Sequence, residues 1–193
     1  MIKTIGIAGG IGSGKSFVCE IIQKIGFPVY NSDFESKKIV ETDSEIKEAL
    51  NTLFDFDLFR NGTLDKAFLA EQLFSSDEIR LNVNAIIHPK VRSYFDSWAE
   101  IQNTTLVFNE AAILFETGSY KSFDKMILVT APLDLRIQRV MERDAVSKEE
   151  VERRISKQWT DAQKIPLADF VIENDGRPLL IQVEEMIDFL AKS

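Results

Sequence analysis

The chain has 193 residues and a formal net charge of −8, a length that suits one compact domain with small insertions. That acidity excludes a bulk binder of nucleic acid or of an anionic membrane, either of which favours a basic face. It leaves room for a small anionic ligand held by a few converging cations. With Cys19 as the single cysteine, no intrachain disulfide or cysteine-based zinc site can form, and its apolar helical setting reads as a small buried hydrophobe.

The opening MIKTIGIAGG lacks the basic start and long apolar run of a secretion signal. No apolar run approaches the ~20 residues that span a bilayer, so the expected location is cytoplasmic. Residues 2–8 read as a buried first strand running straight into glycines. A helix is expected over 15–25, stopped by Gly26 ahead of Phe27 and Pro28. A brief strand at 29–30 leads to NSD (31–33), where Ser32 or Asp33 can cap the next helix. From 33 to 103 helical patterns dominate, at 44–54, 65–74, 77–87 and 91–101. Asn61-Gly62 forms a turn there, and Pro89 separates the last two helices. Strands return at 105–109 and 125–130; Pro132 opens a charged helix to 144 and Ser147 caps another. A last strand at 169–173 precedes a helix after Pro178.

Short apolar strands alternating with helices imply an α/β fold, a parallel sheet covered by helices on both faces. The expected organisation is a single domain. Its core comprises about 1–32, 104–135 and 166–193, with a helical substrate-binding insertion over about 33–103 and a mobile helical lid over about 136–165.

Between the first strand and helix lies GGIGSGKS (9–16), which satisfies G-x-x-x-x-G-K-[ST], a phosphate-binding loop. The amides of Ile11, Gly12, Ser13 and Gly14 are the expected cradle, backed by the positive end of the helix. Lys15 brings a mobile ammonium to the β- and γ-phosphates, and the Ser16 hydroxyl suits Mg²⁺. A glycine-rich turn that binds nothing is the alternative, and the strand-to-helix context argues against it.

Transfer of a phosphoryl group to an alcohol needs a group that positions and deprotonates the hydroxyl. Asp33 fits, because strand ends of an open α/β sheet face the ligand crevice; a plain helix cap is the other reading. Arg136, Arg139 and Arg143 share one helical face by their spacing, with Arg153, Arg154 and Lys164 following. Such runs are ordinarily solvated surface; the alternative is a phosphate clamp.

These segments, taken together, resemble the dephospho-coenzyme A kinase family along nearly the whole chain. The resemblance rests on AGGIGSGKS (8–16), NSD (31–33), GTLDKAFLAEQLF (62–74), NAIIHPKV (84–91), AAILFE (111–116), RVMERD (139–144), RISKQ (154–158) and ADFVIEND (168–175). It implies ATP-dependent phosphorylation of the ribose 3′-hydroxyl of dephospho-CoA, the last step of coenzyme A synthesis, with Mg²⁺. Dephospho-CoA and ATP are then the partners, with no nucleic acid or membrane. By the same resemblance Asp33 is the base, Lys15 stabilises the γ-phosphate and Ser16 ligates the metal. Arg139, helped by Arg143, reaches ATP phosphates, and Asn174 lies near the adenine. The acceptor side draws in Lys37, which stands where the family often has arginine, and His88, which reads either as a structural hydrogen-bonder or as a pocket-lining group. Asn31 replaces an aspartate of the family pattern and Ala112 a proline; Glu110 could reach Mg²⁺ through water or simply finish its strand. The rival readings are another small-molecule P-loop kinase, of nucleoside monophosphate or shikimate type, and a regulatory nucleotide-binding ATPase module. The His-Pro segment argues against the first, and a missing N-K-x-D motif argues against the second.

Overall fold

A computed structural model describes residues 2–60 and 62–192. In chain order the elements are β1 (Lys3–Ala8), α1 (Lys15–Lys24), β2 (Val29–Asn31), α2 (Ser32–Thr42), α3 (Ser44–Phe54), β3 (Phe59–Arg60), β4 (Thr63–Leu64), α4 (Lys66–Ser75) and α5 (Asp77–Glu100). There follow β5 (Leu106–Glu110), β6 (Lys125–Thr130), α6 (Leu133–Asp144), α7 (Lys148–Ile155), α8 (Asp161–Lys164), β7 (Phe170–Glu173) and α9 (Leu179–Lys192). None of the described helices is long and apolar enough to cross a membrane.

Contacts divide the chain into two units, Met1–Asn31 with Gln102–Ser193, and Ser32–Ile101. The first is a five-stranded sheet in the order β2-β5-β1-β6-β7. Its strands are all parallel, with Ile5 level with Phe108 and Lys125 on its two neighbours. Alternation along β6 explains why KMILVT reads as nearly continuous apolar sequence. Ile127 and Val129 face a core with Val18 and Ile22 of α1 and Val183, Met186 and Leu190 of α9. Met126 and Leu128 face the opposite core with Leu114 and Phe115. Successive side chains point to opposite faces, so a strand covered on both sides has no polar position to spare. Helix α1 ends where expected: Gly26 at φ 103° turns the chain and the Phe27 amide closes back on the Ile22 carbonyl at 3.2 Å.

The second unit packs α2–α5 around Ile39, Val40, Ile46, Leu50, Leu58, Leu69 and Val83. Phe68 is gripped edge-on by Phe54 and Phe56, with ring centres 5.5 and 5.0 Å away. Two expectations need correcting here. Pro89 does not separate two helices; α5 runs unbroken through it from Asp77 to Glu100. An interior proline costs on the order of 3 kcal/mol, but Val83 before it and Phe95 and Ala99 after it are buried. Each large apolar side chain so buried contributes roughly 1.5–3 kcal/mol, and packing prevails. Ser32 and Asp33 do not precede the next helix as caps; they form its first turn. Helices dominate the stretch as expected, and β3 and β4 add a small hairpin between α3 and α4. Of the expected turn at its tip, Asn61 lies outside the described residues, whereas Gly62 has φ 79°.

Candidate nucleotide site

Strand β1 ends at Ala8 in the centre of the sheet, and the chain turns through Gly9–Gly14 before α1 starts at Lys15. The turn is held by the Ser13 amide donating to the Gly10 carbonyl at 3.0 Å, and by Phe17 and Val18 amides donating to Gly14. Gly12 (φ 78°) and Gly14 (φ 90°) occupy the left-handed region that a side chain disfavours. The loop thus delivers the N-terminus of a ten-residue helix to the C-terminal edge of a parallel sheet, a ready anion site.

Beneath it sits a buried carboxylate. Glu110 closes β5 at 6% exposure; its Oε1 accepts from Ser16 Oγ at 3.2 Å and its Oε2 from Asn31 Nδ2 at 2.9 Å. Lys15 Nζ lies 3.9 Å from Oε1. Hydrogen bonds and an adjacent ammonium are what allow a carboxylate to stay buried. Oxygen donors are the right chemistry for Mg²⁺, which takes few protein ligands and completes its shell with water and phosphate. No cluster of three or more His, Cys, Asp or Glu that could hold a metal occurs among the described residues.

The far wall comes from α6 and the end of β7. Asn174 Nδ2 donates to the Ser13 carbonyl at 2.9 Å, so Ser13, itself buried, is tied to the β7 end. Arg139 Nη2 donates to the Asn174 carbonyl and side-chain oxygen at 3.4 and 3.3 Å, while its buried Nη1 has no hydrogen-bond partner. Arg139 and Asn174 are therefore brought to the loop together. Arg143 is turned elsewhere: its Nε and Nη2 donate to Asp144 at 2.7 and 3.1 Å, and that bond raises its pKa. Arg154 pairs with Asp144 and Glu150. Lys164, grouped by sequence with the exposed cations, is fully buried against Glu116 at 2.7 Å.

Ile11 is engaged by two side chains from distant segments. Its amide donates to Gln158 Oε1 at 2.8 Å and its carbonyl accepts from Arg136 Nε at 2.9 Å. Arg136, whose charge run reads by itself as solvated surface or as a phosphate clamp, is instead buried under the loop and paired with Asp161. Gln158 was visible only as the last residue of RISKQ. Cys19 is buried as expected, and burial pushes its thiol pKa up.

The remaining predicted residues belong to the second unit. Asp33 and Lys37, four apart in α2, share an exposed face, and Asp33 follows the end of β2 by two residues. His88 is half-buried in α5, and that burial lowers its pKa.

Comparison with known proteins gives a family model described as dephospho-CoA kinase matching residues 3–179. A dephospho-CoA kinase of Bacteroides fragilis is 44% identical over 192 residues, covering 98% of this chain and 94% of the relative. Among solved structures, one of a Thermus thermophilus protein superposes with a TM-score of 0.85 at 34% identity, covering 99% of this chain and 97% of that one. The dephospho-CoA kinase of Campylobacter jejuni superposes with a TM-score of 0.71 at 26% identity, covering 100% and 98%.

Proposed function

From the premise that this chain belongs to the dephospho-CoA kinase family, we propose that it transfers the γ-phosphoryl group of ATP to the ribose 3′-hydroxyl of dephospho-CoA, yielding CoA and ADP. The observation that carries this reading is the match to that family over residues 3–179, in a chain whose phosphate loop is fully formed.

The amides of Gly12, Ser13 and Gly14 and the first turn of α1 cradle the phosphates, with Lys15 released from Glu110 towards the γ-phosphate. Arg139 turns its unpartnered Nη1 to the phosphate chain, and Asn174 borders the adenine. Arg143 joins only by leaving Asp144. Asp33 accepts the proton of the 3′-hydroxyl as its oxygen bonds to phosphorus and the β–γ bridging oxygen departs with ADP. Lys37 and His88 serve the acceptor, for which the Ser32–Ile101 unit is the binding region. Ser16, with Glu110 accepting its hydroxyl proton, offers an oxygen to Mg²⁺. When bound, that ion neutralises charge on the β- and γ-phosphates. Residues 136–165 act as the lid, excluding water that would hydrolyse ATP. An acidic chain acting on two small molecules needs no nucleic acid or membrane, and a cytoplasmic location follows.

The test is purified protein with ATP, Mg²⁺ and dephospho-CoA, scored for CoA, beside a nucleoside monophosphate and shikimate as acceptors. CoA formation with dephospho-CoA alone supports the proposal. Turnover of another acceptor without CoA overturns it.

A further inference from the structure

Ile11 is held on three sides by residues far away in sequence. Gln158 takes its amide at 2.8 Å, Arg136 takes its carbonyl at 2.9 Å, and its side chain packs against Ile137, Val140 and Val151 of α6 and α7. The loop also lies directly on Arg136. A Cβ on Gly10 would stand 2.1 Å from Arg136 Nη2, and one on Gly12 would stand 2.5 Å from the Arg136 carbonyl. These two glycines therefore have a reason other than the phosphate: the backbone must come close enough for the guanidinium to reach across to Ile11. Arg136 is in turn fixed by Asp161 at 3.4 Å. The segment from Gln158 to Lys164 is itself anchored, because Glu116 accepts from the Trp159 amide at 3.0 Å and pairs with Lys164 at 2.7 Å.

We propose that Arg136 and Gln158 are positioning residues for the nucleotide: they clamp the peptide groups of Ile11 so that the loop tip docks on α6 and α7 and the amides beyond it keep their cradle shape. Neither side chain touches the phosphates in this arrangement, and the Ile11 amide is an anchor instead of a phosphate donor. Both act through a single residue, which makes ATP binding the property they control. The acceptor affinity is left alone. A cradle that has already lost its freedom binds at lower entropic cost, so freeing Ile11 weakens ATP and little else. This inference rests on the kinase reading above for its acceptor arm only.

The test is equilibrium titration of the full chain with Mg²⁺–ATP, followed by steady-state kinetics with both substrates. Gln158→Leu removes the acceptor for the Ile11 amide and is expected to raise the ATP dissociation constant about 5–10-fold, the usual worth of one such hydrogen bond. The Michaelis constant for dephospho-CoA should stay within about 2-fold. Gln158→Glu keeps an oxygen at the same place and should restore ATP binding to within about 2-fold of the parent. Arg136→Lys keeps a cation for Asp161 but loses the fork, and should resemble Gln158→Leu; retention of the parent's melting temperature shows that the fold is intact. ATP binding unchanged in Gln158→Leu overturns the proposal. So does a Gln158→Glu no better than Leu, or an equal rise in both substrates' constants. The titration needs no acceptor, so a chain that binds ATP but makes no CoA fails the function reading while the clamp is still measured.

Discussion

Replacing Glu110 by glutamine removes one charge from the buried cluster under the phosphate loop and leaves the shape nearly unchanged. At 3.9 Å from Lys15 Nζ, the lost attraction is about 4 kcal/mol at an effective dielectric constant near 20. Much of that is offset by relief from holding a carboxylate out of water. The hydrogen bonds are less forgiving. Glu110 accepts from Ser16 Oγ on one oxygen and from Asn31 Nδ2 on the other, whereas an amide puts an NH₂ group in place of one oxygen, so one of the two donors must turn away. A charge-assisted bond is worth about 1.5–3 kcal/mol, and groups that orient a metal ligand typically matter by about 10–100-fold in affinity or activity. The expected result is therefore a fall of about 10–100-fold in kcat/KM, with the Mg²⁺ concentration for half-maximal rate rising in step. The assay is CoA formation across a Mg²⁺ series, with thermal unfolding run alongside. A Glu110→Gln protein with an unchanged Mg²⁺ requirement and a rate within about 2-fold of the parent refutes the argument. A rate loss wholly matched by loss of folded protein does so too.

Asp33→Ala should lower kcat by about 10²–10⁴-fold, the range of a general base, with ATP affinity within about 2-fold by titration; near-normal turnover removes Asp33 from that role. Burial holds the His88 imidazole below its ordinary value of 6.5. The unfolded chain therefore takes up a proton that the folded one resists. Stability should fall as pH drops from 6.5 towards the depressed folded value, with no contribution above 6.5. Urea unfolding at pH 7.5 and 5 should show His88→Asn losing less stability than the parent. Pro89→Ala restores an amide to the middle of α5 and should stabilise by about 1–2 kcal/mol, the relief of helix strain less the added freedom of the unfolded chain; urea unfolding reads it directly.

The sheet was legible because its strands are buried on both faces. MILV within KMILVT is continuously apolar, and the strand occupies 125–130 as its sequence predicts. The phosphate loop was equally plain, since its spacing and its place between strand and helix are local properties. Pro89 misled because a local breaker was weighed without the packing of Val83 and Phe95 around it. The hairpin of β3 and β4 escaped notice because two-residue strands carry no alternation. Among site residues, Lys15, Ser16, Arg139 and Asn174 could be named from the sequence; Lys15 and Ser16 meet Glu110, Asn174 bonds the Ser13 carbonyl, and Arg139 bonds Asn174. Arg136 and Gln158 could not be given their places. Their partner Ile11 lies 125 and 147 residues away, and a run of charges looks the same on a solvated helix as on one pressed against a loop. The surplus glycines at 10 and 12, beyond the two that the motif demands, were the one local trace of that close approach.

The most direct measurement is the position of the new phosphate. Dephospho-CoA treated with the protein, ATP and Mg²⁺ should give a single product whose added phosphorus couples to the ribose H3′ proton in ³¹P–¹H NMR, with one ADP formed per CoA. A product phosphorylated at another hydroxyl, or ADP and inorganic phosphate released with dephospho-CoA left unchanged, would contradict the account.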